Sequence, residues 1–226
     1  MIENLPMYIN VLFIITLIIT IFWFYAANKS KTFLIIAIAW CVIQSIMAVK
    51  GIYQDTKAMP PRIMLLGVLP ALLLIVILFI TATGRAFIDN INLKTLTYFH
   101  TIRIFVEICL LLLFGQKLVP VNLTFEGTNF DLFSGITAPI VAYIAFRPGN
   151  TSKKLLLWWN LTCLLLLINV VVTAVLALPS PFQKISLDQP NVAVLFFPFI
   201  LLPAVIVPLV LFAHLAAFRK LSKKMV

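Results

Sequence analysis

Tyr8-Ile9-Asn10-Val11-Leu12-Phe13-Ile14-Ile15-Thr16-Leu17-Ile18-Ile19-Thr20-Ile21-Phe22-Trp23-Phe24-Tyr25-Ala26-Ala27, followed by Asn28-Lys29-Ser30-Lys31, decides the class of this protein. A helix needs about 20 predominantly apolar residues to cross roughly 30 Å of hydrocarbon. The first run supplies that length without one charge. It does not read as a cleaved signal peptide: Glu3 precedes it, no Lys or Arg does, and the positive charge follows at Lys29 and Lys31. That order orients a retained span with its N-terminus outside.

The rest of the chain repeats the pattern. Apolar runs at about 33–50, 62–83, 95–117, 131–147, 155–178 and 191–218 complete seven expected spans, and together they use up the 226 residues as a single transmembrane domain. At 63% hydrophobic and 11% charged residues, with a mean hydropathy of +1.13, the chain has more apolar surface than a soluble fold can hide. The expected fold is an all-α polytopic bundle. The net charge of +10 does not point to nucleic acid, because the basic residues sit in short clusters at span ends. With the N-terminus outside, cytoplasmic segments hold Lys29, Lys31, Arg85, Lys94, Arg147, Lys153, Lys154, Arg219, Lys220, Lys223 and Lys224. External segments hold Lys50, Lys57, Arg62, Lys117 and Lys184. Eleven against five predicts a cytoplasmic C-terminus. Pro60-Pro61 marks the start of the third span, Pro148-Gly149 a turn between the fifth and sixth, and Pro198, Pro203 and Pro208 a bend in the seventh. Cys41, Cys109 and Cys163 are scattered in apolar runs and form neither a disulfide framework nor a zinc set.

The fourth span carries the chemistry. His100, Arg103 and Glu107 are spaced i, i+3, i+7 and share one helical face, with Glu107 about 20 Å in from Lys94. A charge at that depth costs about 2.5–3.5 kcal/mol on insertion scales, so the stripe must face the bundle interior. Two readings stand side by side. Arg103 and Glu107, at i, i+4, neutralise each other and pin neighbouring helices, or the three residues form a ligand or proton site. Direct metal binding does not suit the stripe, because Arg103 places a cation between His100 and Glu107. A small polar or anionic ligand or a proton relay suits it better.

The external loop Pro120-Val121-Asn122-Leu123-Thr124-Phe125-Glu126-Gly127-Thr128-Asn129-Phe130-Asp131 leads into Ser134, Gly135 and Pro139. It either folds back over the bundle mouth, bringing Glu126, Asn129 and Asp131 toward the polar interior, or simply caps the fifth span through Asn129 or Asp131. Gln44, Asn160, Asn169 and Thr173 are further intramembrane polar groups of the kind that bond helix to helix. The segment from His100 to Pro139 resembles a group of uncharacterised bacterial seven-helix membrane proteins. That group shares an H-x-x-R-x-x-x-E span, a P-x-x-x-T-F-E-G-x-N-F-D loop and a G-x-T-A-P helix start. The resemblance implies a bacterial inner membrane and no particular activity.

The function classes then narrow. A transport or ligand-sensing bundle built on His100, Arg103 and Glu107 is the leading expectation, with the lipid bilayer as its surroundings. A haem-binding redox protein would use His100 and His214, both about 6–9 Å from the inner face. A structural or assembly subunit would need no ligand. No Gly-x-Ser-x-Gly or His-Glu-x-x-His motif indicates a hydrolase. The seventh span has no lysine for a retinal Schiff base. No cofactor is expected outside the haem alternative.

Overall fold

The computed structural model describes residues 2–147 and 150–222. The Pro148-Gly149 turn and the basic Lys223 and Lys224 lie outside the described residues. Helices joined by turns and loops make up the described residues, whose only strands form a two-residue antiparallel ladder in which Phe146 pairs with Thr151 and Arg147 with Asn150. Its helices are α1 (Met7–Asn28), α2 (Lys31–Val49), α3 (Leu69–Ile80), α4 (Ala82–Asn90), α5 (Leu93–Phe99), α6 (Ile102–Gly115), α7 (Asp131–Ala145), α8 (Lys153–Leu176) and α9 (Val207–Ser222). Wide π-helical turns at Ile63–Val68 and Leu202–Ile206 lead into α3 and α9. Among the described residues six helical stretches are long and apolar enough to cross a membrane: α1, α2, Ile63–Ile80, Leu93–Gly115, α8 and Leu202–Ser222. The fifth expected span is α7, whose 15 residues extend only about 22 Å.

Short connections have local causes. Lys29 adopts the left-handed conformation that ends α1, its N–H bonding Tyr25 O at 2.7 Å, and Ser30 Oγ caps α2 by accepting from Phe33 N. Thr81 ends α3 and caps α4, and Gly84 is needed there because a Cβ would sit 2.3 Å from Leu78 O. The α4 helix, which hydropathy alone does not reveal, is tied to the end of α9. Arg219 grips Asp89 with two hydrogen bonds, at 3.1 and 3.0 Å, and Lys220 Nζ donates to the Asp89 carbonyl.

Two prolines remove backbone donors inside spans, and α2 repairs both losses. Pro208 offers no proton to Ala204 O, which instead accepts from Trp40 Nε1 at 3.0 Å. Leu66, four residues before Pro70, accepts from Gln44 Nε2 at 3.1 Å, while Gln44 Oε1 takes the Tyr53 hydroxyl. At membrane depth no water can make these bonds, which is why a glutamine and a tryptophan one turn apart are buried or half-buried there.

Two expectations need correction. The last span begins at Leu202 rather than Asn191. The apolar run 191–201 is not helical throughout: Pro198 falls inside it, and Pro203 sits in the first turn of the helix that follows. It forms a short 3-10 turn (Ala193–Leu195) and packs into the core through Val194, Phe199 and Ile200, with Phe199 edge-on to Phe13 at 5.1 Å. The fourth span is not one continuous α-helix either. At His100 and Thr101 it tightens to i, i+3 bonding, with His100 N on Thr97 O and Arg103 N on His100 O.

A buried ion pair, two stacked histidines and a cavity

The polar stripe is built where α6 and α7 pack closely. Gly135 makes that approach possible: a Cβ there would lie 2.8 Å from Ile104 Cγ1 and 2.9 Å from Ile104 N. Gly135 is one turn beyond Asp131 on the same helix face, so the close approach delivers Asp131 to Arg103. The guanidinium meets the carboxylate in a two-point fork, Nε to Oδ2 at 2.6 Å and Nη2 to Oδ1. Arg103 is 2% exposed and Asp131 6%. The carboxylate facing Arg103 is thus Asp131, twenty-eight positions away, and no hydrogen bond or ion pair joins Arg103 to Glu107 among the described residues. The i, i+4 spacing put both on one face, but α7 inserts its own carboxylate between the choices.

Arg103 reaches two more helices. Its Nη2 donates to Cys163 O of α8 at 3.4 Å and its Nη1 to His214 Nε2 of α9 at 3.1 Å. Arginine can only donate, so Nε2 of His214 is the accepting nitrogen and the ring proton sits on Nδ1. That proton is given to Asn160 Oδ1 at 2.9 Å, and Asn160 Nδ2 closes the chain on Leu156 O at 2.8 Å. The His100 ring stacks on His214, centroids 4.1 Å apart and planes 24° from parallel, with Trp159 edge-on to His100 at 5.4 Å.

This geometry does not fit the haem alternative. A bis-histidine haem needs a porphyrin plane between the two imidazoles, each aiming a nitrogen at the iron. Here the rings lie face to face in contact, and both nitrogens of His214 are engaged.

Glu107 lies one turn further along α6, toward Gly115. Its Oε1 accepts from Asn129 Nδ2 at 2.7 Å, and that amide also bonds Leu123 O. Asn129 Oδ1 accepts from Asp131 N at 2.9 Å, so Asn129 both holds Glu107 and starts α7. The Pro120–Asp131 loop therefore descends into the bundle through Asn129 and Asp131, both buried, whereas Glu126 stays exposed and joins no cluster. Gly127 is the tight point of that descent, where a Cβ would sit 2.3 Å from Val121 O. Asn169 ties the loop to α8 by donating to Thr128 O at 3.0 Å.

A cavity of about 250 Å³ opens beside Glu107, between the π turn and start of α3, α6, α8 and the π turn and start of α9. Its walls are apolar except for Arg103, Glu107, Asp131 and Asn191. Glu107 Oε2 and Asn191 Oδ1 are buried without a hydrogen-bond partner. Asn10 Oδ1, His100 Nδ1 and Thr101 Oγ1 are also unpartnered among the described residues, but their residues do not line the cavity. Asn191 escaped the sequence reading, since it stands at the edge of an apolar run with no partner suggested by spacing. His214, next to the basic tail, carried only a weak signal for the central position it holds.

No curated protein and no solved structure matches the chain. Residues 60–222 match the family described as Domain of unknown function (DUF8737), a match that takes in α3 to α9 and the whole polar cluster, and the chain belongs to that family.

Proposed function

We propose that this chain is a multi-pass protein of the bacterial inner membrane that binds a small molecule beside Glu107, as a carrier or a sensor. One observation carries the reading. The cavity of about 250 Å³ has apolar walls, and two of its lining residues carry buried acceptors, Glu107 Oε2 and Asn191 Oδ1, with no partner among the described residues. A buried polar atom left unsatisfied costs about 1–3 kcal/mol, a cost that a bound ligand removes. Apolar walls with a few convergent polar groups are the usual character of small-molecule sites. A seven-passage topology, N-terminus outside and C-terminus cytoplasmic, is supported by the basic-residue asymmetry, with α7 as the short passage. The shared G-x-T-A-P and T-F-E-G-x-N-F-D patterns support the bacterial location.

A purely structural role has its own support in Arg103, whose bonds reach α7, α8 and α9. It does not account for the cavity or for Glu107 Oε2. The two readings separate in a thermal-shift screen of small cationic, neutral and anionic compounds on the chain in lipid nanodiscs. The ligand reading expects compounds that raise the unfolding temperature of the wild type and not of Ala174→Phe, which fills the cavity. A screen in which every compound acts equally on both proteins contradicts it.

A further inference from the structure

The charge count around the cavity points to the head group of its ligand. Arg103 supplies one positive charge, and Asp131 and Glu107 supply two carboxyl groups, all three buried. Asp131 takes two N–H groups of Arg103, so that pair is electrically closed. The His214 ring, accepting at Nε2 and donating at Nδ1, is neutral. The remaining wall of the cavity presents no charge: α3 and its π turn contribute Ile63, Met64, Val68 and Leu72, α8 contributes Leu167 and other aliphatics, and the 191–210 segment adds only the Asn191 amide to its apolar side chains. Beyond the cavity lining, His100 on the same span faces His214 rather than Glu107. Glu107, a residue of the cavity wall, is therefore an acid without a countercharge of its own, one oxygen held by Asn129 and the other buried with no hydrogen-bond partner among the described residues. An isolated carboxylate in an apolar site is balanced either by a proton or by a cation.

We infer that the cavity takes a small hydrophobic amine, whose ammonium group donates to Glu107 Oε2 and Asn191 Oδ1 in exchange for the Glu107 proton. This rests on the ligand-site reading above. The exchange is balanced: an ammonium ion enters, the carboxylic acid becomes a carboxylate, and one proton leaves. An anion finds little to hold it, because Arg103 already makes four hydrogen bonds with its five N–H donors. A cavity volume of about 250 Å³ limits the ligand to a small one.

The test uses three probes that share one body: phenethylammonium, 2-phenylethanol and phenylacetate. Each is titrated calorimetrically into the full chain in phosphatidylglycerol nanodiscs, in two buffers of different ionisation heat, which together count the protons released. The amine should bind about tenfold or more tighter than the alcohol or the acid and release close to one proton. Glu107→Gln, which keeps an acceptor for Asn129, should weaken the amine about tenfold or more, abolish proton release and spare the alcohol. Tighter binding of phenylacetate or phenylethanol, or amine binding without proton release, overturns this inference while leaving a ligand site. Equal binding of all three probes to wild type and Ala174→Phe overturns the ligand site itself. Should Glu107→Gln fail to fold, the two-buffer measurement on wild type still decides. Repeating the titration with phosphatidylethanolamine in the discs separates the sources of the amine. Competition identifies a lipid head group, an unchanged affinity a free amine, and either supports the chemistry.

Discussion

The polar interior has two halves, one turn apart on α6, and they are built to different standards. Around Arg103 nearly every bond is closed: the fork to Asp131, the contact with His214 and the relay through Asn160 to Leu156 O join four helices. Around Glu107 the protein stops short: Glu107 Oε2 and Asn191 Oδ1, on two residues that line one apolar cavity, are buried with no hydrogen-bond partner among the described residues. Lipid tails are as apolar as leucine, so helix association in a membrane relies on close packing and polar contacts rather than on hydrophobic burial. The closed half supplies those contacts. The open half gives up stability that only a ligand or a proton restores.

The comparison breaks first at the ion pair. Arg103→Met leaves Asp131 as a buried lone carboxylate and should cost about 3–5 kcal/mol, whereas Arg103→Met combined with Asp131→Leu should recover most of that loss. Unfolding titrations in mixed micelles measure both. If the double variant is no better than the single, Arg103 and Asp131 do not act as a couple.

Next in size is the close approach that positions the pair. Gly135→Val forces a side chain against Ile104 and should cost about 1–3 kcal/mol. Gly115→Ala, where nothing lies within 4 Å of the added Cβ, should be neutral to slightly stabilising. Equal effects at the two glycines would remove the steric explanation for the α6–α7 contact.

How far the sequence foretold this division is visible residue by residue. His100, Arg103 and Glu107 stood out because charges recurring at i, i+3, i+7 inside an apolar run have few explanations. Their partners were legible only as one of two readings of the loop. Asn129 and Asp131 either turn toward the polar interior or cap the fifth span, and hydropathy cannot decide between the two, because it does not reveal the path of the loop. Five of the six long apolar helices among the described residues lie within a few residues of runs that apolar length alone marks out. The sixth begins eleven residues late, at 202 against 191, because apolar content outweighed the prolines in the reading. Helix α4 was missed because nine residues with mixed polarity give no spanning signal.

Helix α2 sharpens the comparison from outside the polar cluster, since there too a side chain closes what the backbone leaves open. Trp40→Phe removes the side-chain donor to Ala204 O and should cost about 1–3 kcal/mol. Adding Pro208→Ala restores a backbone donor and should return most of it. No recovery would mean that Trp40 acts through packing alone. The smallest effect belongs to the rim. Arg219→Ala removes a partly exposed bridge to Asp89 and should cost at most about 1 kcal/mol, with a dependence on salt. A larger loss, unaffected by salt, would show that α4 is held to α9 mainly by this bridge.

The most direct measurement compares one conservative substitution in each half, Asp131→Asn and Glu107→Gln, by unfolding free energy in the same lipid environment without added ligand. Asp131→Asn leaves the buried Arg103 without its countercharge and should lose about 3–5 kcal/mol. Glu107→Gln keeps the acceptor for Asn129 and removes an acid that nothing balances, so it should stay within about 1 kcal/mol of wild type. If Glu107→Gln is as damaging as Asp131→Asn, the interior is a single structural network and the division into a closed and an open half is wrong.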